Sequence, residues 1–213
     1  MQILHTRCPR ALAVAFAIAA ATLLLGGCIG IETRVSISAD GSGQLDLVYT
    51  VSRIASELRS DGESALPFPV NEDDFRAAVD GVAGLRLRQY RQEQTSDHIV
   101  VTAAIEFDSV DVIAQFGSFA EMEASLVQDG ERTTYRQSVG SGQGQQEPLT
   151  DEAQQMAEAL FGGYEVVFAV EAPQDIVEAT GGALSTDRRT VVFSMGLLEW
   201  VADGTDRVLT ASW

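Results

Sequence analysis

The chain has 213 residues, 31 of them acidic and 14 basic, for a formal net charge of −17. Such a surplus repels phosphate backbones and leaves no basic stripe, which excludes nucleic acid as a partner. It also repels anionic head groups, so membrane contact has to come from apolar groups and not from charge. Every basic residue is arginine, a composition that suits either a GC-rich genome or a surface adapted to salt.

Arg7 and Arg10 precede an uncharged apolar run, Ala11 to Leu25, and then come the small residues Gly26 and Gly27. A basic segment, a greasy one and a small-residue junction, in that order, make a secretory signal. The junction Leu25-Gly26-Gly27-Cys28 resembles the lipobox of bacterial lipoproteins, with leucine three residues before the cysteine and two small residues between. The resemblance implies cleavage between Gly27 and Cys28, a diacylglyceryl thioether on Cys28, and an acyl chain such as palmitate on the new amino terminus. Each buried methylene contributes roughly 0.8 kcal/mol and a single chain holds only marginally, so two or three chains make a durable anchor. The alternative is an uncleaved transmembrane anchor, because apolar character continues to Ile31 and about 20 such residues can span a bilayer.

On the lipoprotein reading, residues 1–27 are a cleaved signal peptide and 28–213 form a single domain in the cell envelope, held outside the cytoplasm by lipid. Losing Arg7 and Arg10 takes the net charge from −17 to about −19. Cys8 leaves with the signal and Cys28 is consumed by lipid, so no thiol remains for a disulfide. The fold must therefore stand on its core, and a chain of this size buries roughly 70 % of its surface. Ile29 is not the aspartate of an inner-membrane retention signal, which favours the outer membrane if the organism has two.

Val35 and Ile37 alternate with polar residues, and after Asp40-Gly41-Ser42-Gly43 the series Leu45, Leu47, Tyr49, Val51 alternates again, predicting a β-hairpin. Ile54 to Arg59 reads as a short helix and Ser60 to Pro69 as a loop. Asn71 can cap a better helix, with Glu72, Asp73 and Asp74 in its first turn and an apolar stripe of Phe75, Ala78, Val79 and Val82. Leu85 and Leu87, then Ile99 to Phe107, predict a second hairpin turning near Thr95 to Asp97. Val112, Ile113 and Phe116 suggest a short helix. Met122 to Val127 and Thr133 to Val139 suggest a third hairpin turning at Asp129-Gly130.

Gly140 to Gln146 reads as a low-complexity loop, followed by a helix from Thr150 to Phe161 that stops at Gly162-Gly163. Strands return at Val166 to Val170, Ile176 to Ala179, Val191 to Met195 and Val208 to Trp213. The expected fold class is α+β, an antiparallel β-meander sheet with two longer helices packed on one face.

The strand Ile31 to Ile37 with the turn Asp40-Gly41-Ser42-Gly43 is similar to the start of LppM-like bacterial lipoproteins. The end resembles that family too: Thr180-Gly181-Gly182, then Arg189-Thr190-Val191-Val192-Phe193, then Ala211-Ser212-Trp213. The resemblance covers about the first and last thirds. It implies an envelope-attached β-rich domain that handles lipids or glycolipids, and it carries over no catalytic residues.

His98 is the only histidine after the signal, and there is no lysine or spare cysteine. A serine–lysine dyad is thereby excluded, zinc sites lack their ligands, and a serine–histidine–acid triad would depend on His98 alone. Its place beside Asp97 suits a strand end instead. Carboxylates are abundant, yet no pair stands in an apolar setting that would raise a pKa. Asp40, Asp46, Asp203 and Asp206 lie near glycine turns but lack calcium-loop spacing. Trp200 and Trp213 are either core or edge residues or the walls of an apolar pocket. The expectation is a protein without catalytic residues, metal or cofactor that binds a lipid or other amphipathic envelope component. The alternative is a scaffold that docks another envelope protein, with an enzyme third.

Overall fold

The computed structural model describes residues 28–53, 69, 71–116, 123–139, 155, 158, 162–203 and 207–213. Two strands open the chain, β1 (Cys28–Ile37) and β2 (Gly43–Ser52), followed by helix α1 (Glu72–Asp80) and the hairpin β3 (Leu85–Gln94) and β4 (His98–Phe107). A 3-10 helix (Val110–Gln115) leads to the hairpin β5 (Glu123–Asp129) and β6 (Arg132–Val139). The last part holds β7 (Tyr164–Glu171), the short β8 (Glu178–Thr180) and β9 (Ala183–Leu184), β10 (Thr190–Gly196), helix α2 (Leu197–Asp203) and β11 (Arg207–Ser212).

These strands form two sheets: a seven-stranded one ordered β3-β4-β2-β1-β7-β10-β9 and a four-stranded one ordered β5-β6-β11-β8. This corrects the expected α+β class with two longer helices on one face. The described residues are mostly β, 57 % strand and 16 % helical, and a second sheet does the covering that helices were expected to do. Among the described residues only α1, with nine residues, exceeds seven. The expected helix over 150–161 lies outside the described residues except for Gln155 and Glu158, both exposed, and so do those over 54–59 and the loop at 140–146.

Nor is the larger sheet a pure meander. β1 pairs β2 in antiparallel fashion but β7 in parallel, with Val35 opposite Val170. β7 shows why: Val166, Phe168, Ala169 and Val170 are all buried, the continuous apolar run of a central strand and not the alternation of a half-exposed one. β4, by contrast, alternates strictly, with Ile99, Val101, Ala103, Ile105 and Phe107 inward. That inner face is the floor of the main core.

Three elements close the floor. Helix α1 starts where Asn71 accepts a hydrogen bond from the Asp74 amide at 2.9 Å, a cap contributing about 1 kcal/mol. Its buried residues are Phe75 and Val79, and the Phe75 ring lies 6.4 Å from Tyr49 and 6.3 Å from Phe116. The 3-10 helix adds Val110 and Ile113. The smaller sheet contributes Tyr135, Leu209 and Ala211, with Ile176 beside it, to the same core as Val35, Val170 and Val191. Helix α2 covers the remaining end, where Val166, Phe168 and Trp200 form a separate small cluster.

Candidate functional site

The larger sheet begins at Cys28, which stands opposite Tyr164 in the parallel pairing of β1 with β7. The register shifts between Ile29 and Ile31, and Gly30 sits at that irregularity. A Cβ on Gly30 would lie 3.0 Å from the Tyr164 Cβ and 3.2 Å from its ring, so the small residue is what lets Tyr164 close over the strand. His98 opens β4 and its ring lies 6.3 Å from that of Tyr164. Its own amide donates to Thr95 Oγ1 at 3.0 Å, which fixes the hairpin turn. Cys28 thus belongs to a strand end built on Gly30, Tyr164 and His98. Residues 1–27, including the expected cleavage partner Gly27, lie outside the described residues. Among the described residues, no helix is long and apolar enough to cross a membrane.

Between the sheets is a cavity of about 180 Å³. Three aromatic side chains, Phe168, Phe193 and Trp200, form one wall, and β11 forms the other with Arg207, Val208 and Leu209. Phe168 sits 6.2 Å from Phe193 and 6.4 Å from Trp200, ring centre to ring centre. Trp200 is 7 % exposed and its buried Nε1 has no hydrogen-bond partner among the described residues. The third wall is Gly181, held at φ +83°. A Cβ there would come within 2.5 Å of the Val208 carbonyl oxygen, and one on Gly182 within 2.7 Å of Val191. Two consecutive glycines let the turn from β8 to β9 cross from the smaller sheet to the larger one at the mouth of the cavity.

The other singled-out residues do not join this site. Asp40 accepts from the Ser42 hydroxyl at 2.6 Å and its amide at 3.1 Å, and these bonds hold its carboxyl below the usual value. Asp46 accepts from Gln44 at 2.7 Å. Asp203 ends α2, and Asp206 lies outside the described residues. No group of three or more potential ligand residues that could hold a metal ion occurs among the described residues. Trp213, partly buried against the main core, is paired through its backbone with Thr133 at the other end of β11 from Arg207.

Sequence reasoning missed one buried polar pair: the Tyr135 hydroxyl donates to Gln137 Oε1 at 3.0 Å, with Tyr135 fully buried and Gln137 1 % exposed. Burial pushes the Tyr135 hydroxyl well above its ordinary pKa. Two residues apart on β6, they share the inward face, and a period-two reading could have flagged Gln137 as a polar residue at a core position. Arg207 was also missed, because nothing in its local sequence distinguishes it from the other arginines.

No protein-family model matches the sequence, and no curated protein matches it. The fold is similar to that of the folded domain of Mycobacterium tuberculosis LppM, solved by NMR, with a TM-score of 0.50 and 11 % identity over 88 % of this chain and 90 % of that one. At that identity the likeness is one of fold: two β-rich domains of LppM-like architecture.

Proposed function

We propose that the protein is an envelope lipoprotein, anchored through lipid on Cys28, whose domain holds an apolar segment of a lipid or glycolipid between its two sheets. The observation that carries this reading is the aromatic cavity between the sheets. Ligand pockets are mostly apolar with a few polar groups that set orientation, and Phe168, Phe193 and Trp200 beside Arg207 match that description. Pockets for whole small molecules run to roughly 300–1,000 Å³. About 180 Å³ suits part of an acyl chain, with the rest of the ligand outside. The shared fold with the LppM domain supports an envelope role, as the sequence resemblance at both ends does.

The test is uptake of a fluorescent fatty acid by the full chain in detergent. Phe193→Trp, which narrows the cavity, should weaken uptake about tenfold, while a distant change such as Asn71→Asp should leave it alone. Equal uptake by all three proteins, or none by any, would remove the cavity as the site. Intact mass of the membrane-extracted protein beside Cys28→Ser tests the anchor: loss of residues 1–27 plus acyl chains is expected only in the parent.

A second reading, a scaffold that docks another envelope protein, is favoured by the outer strands of the smaller sheet, β5 and β8. Val127 on β5 and Val177 beside β8 are 59 % and 57 % exposed, and edge strands with apolar side chains can accept a further strand. In-cell crosslinking from Val127 that traps one defined protein, in a chain unable to take up fatty acid, would favour it.

A further inference from the structure

Strand registers gather several chain ends at one end of the larger sheet. Cys28 stands opposite Tyr164, Glu165 opposite Gly196, and Ser52 opposite His98. Helix α2 starts directly at Leu197, so its first residue lies level with the start of β1. One row further in, Ile31, Val166 and Met195 share the inward face. Ile31, Met195 and Leu197 are only partly buried, and they pack on the small cluster of Val166, Phe168 and Trp200 that α2 covers. Apolar side chains are therefore left half open at this end, with the Ile31 row about 10 Å along the strand from Cys28 at 3.3 Å per residue.

The described ionisable groups at this end are Arg53, Glu93, Asp97, His98 and Glu165 near the strand ends, Glu158 just before β7, and Glu199 in the first turn of α2. Arg53 donates to the Ser96 carbonyl. The half-buried rings of His98 and Tyr164 are amphipathic groups of the kind that sit at head-group level.

Given the lipid anchor proposed above, we infer that this end of the larger sheet rests on the bilayer, with Ile31, Met195 and Leu197 as its membrane-contact surface. Cys28 is itself a strand residue, so no tether separates acyl chains from sheet, and the surface around it is held at the interface. Interfacial apolar groups insert roughly 5–10 Å, which matches the depth of the Ile31 row. Phe168 and Trp200 belong both to this apolar cluster and to the cavity wall. An acyl chain would pass from bilayer to cavity along Leu197 and Trp200 without crossing water.

The full chain with its signal, extracted and reconstituted in vesicles of phosphatidylethanolamine and phosphatidylglycerol, provides the test. With Cys28 blocked by lipid, a nitroxide can be placed on Leu197→Cys, on Glu165→Cys, whose side chain is exposed, or on Ser42→Cys in the turn at the opposite end of β1. The labels at 197 and 165 are expected to collide with a water-soluble nickel chelate at least fivefold less than the label at 42. The Glu165 label leaves α2 untouched, so it reads the orientation even where Leu197→Cys disturbs the helix. Equal nickel access at 165 and 42, in a chain that is acylated by mass and floats with the vesicles, overturns the inference and leaves the anchor standing. A chain that is neither acylated nor vesicle-bound removes both.

Discussion

Trp200 offers the sharpest test of how the cavity wall is built. Its indole N–H is buried without a partner among the described residues, and such a group costs about 1–3 kcal/mol. Trp200→Phe abolishes that penalty. The smaller ring also gives up on the order of 40 Å² of apolar burial, about 1 kcal/mol at 25 cal/mol per Å², so the two effects nearly cancel. Trp200→Phe should therefore unfold within about 1 kcal/mol of the parent. Trp200→Ala, which empties the space against Phe168, should lose about 3–5 kcal/mol and lower Tm by roughly 6–20 °C at 2–4 °C per kcal/mol. Urea unfolding followed by far-ultraviolet circular dichroism, which needs no tryptophan signal, separates the two. If the phenylalanine variant loses as much as the alanine one, the indole N–H has a partner and the reasoning fails.

Three further outcomes follow from particular contacts. Gly181→Ala forces a side chain into left-handed backbone and against the Val208 carbonyl, and should cost at least about 2 kcal/mol in urea unfolding and abolish fatty-acid uptake. Tyr135→Phe removes the buried bond to Gln137 and should cost about 1 kcal/mol, whereas Tyr135→Phe with Gln137→Leu should recover much of that; a double variant weaker than the single would contradict it. Asp108 is held below its usual value of 3.8, first by a hydrogen bond from Arg86. A carboxyl lowered in the folded state adds stability above its unfolded value and loses it as pH falls through the folded one. The urea midpoint of Asp108→Asn should therefore fall less steeply than the parent's below about pH 4, and parallel curves would show that Asp108 does not contribute.

Local pattern made most strands legible and global pairing mostly illegible. Period-two runs located the β1–β2, β3–β4 and β5–β6 hairpins because each is closed by a short turn and each pairs with its sequence neighbour. The Asn71 cap located α1 because the capping bond lies within four residues. Pairings between distant segments leave no such mark. β1 with β7 spans more than a hundred residues, and β11 with β6 assembles a second sheet from segments that read alone as one meander. Helix α2 was missed for a related reason: Leu197 and Leu198 continue the apolar run of β10, and only Gly196 marks the change. The site followed suit. Trp200 stood out in the sequence only as a core or edge residue with a pocket wall as the alternative, and Phe168, Phe193 and Arg207 meet it only through the two-sheet arrangement.

The same topology ties the proposed anchor to the cavity. Lipid on a flexible leader would leave the domain free to tumble, and the cavity would meet the bilayer by chance. Here the residue proposed to carry lipid stands at the start of a strand with two hydrogen-bonded neighbours, β2 and β7. β7 in turn supplies both Val166, next to the anchor end, and Phe168, in the cavity wall. Four residue steps along one strand, from Tyr164 to Phe168, thus run from the level of Cys28 to the pocket, about 13 Å at the usual rise. That is less than half the roughly 30 Å hydrocarbon thickness of a bilayer, within the reach of a single acyl chain that stays rooted among its neighbours. On the proposed lipid-binding reading, a domain built this way shelters the end of a lipid tail without extracting the whole molecule, consistent with a cavity too small to enclose one.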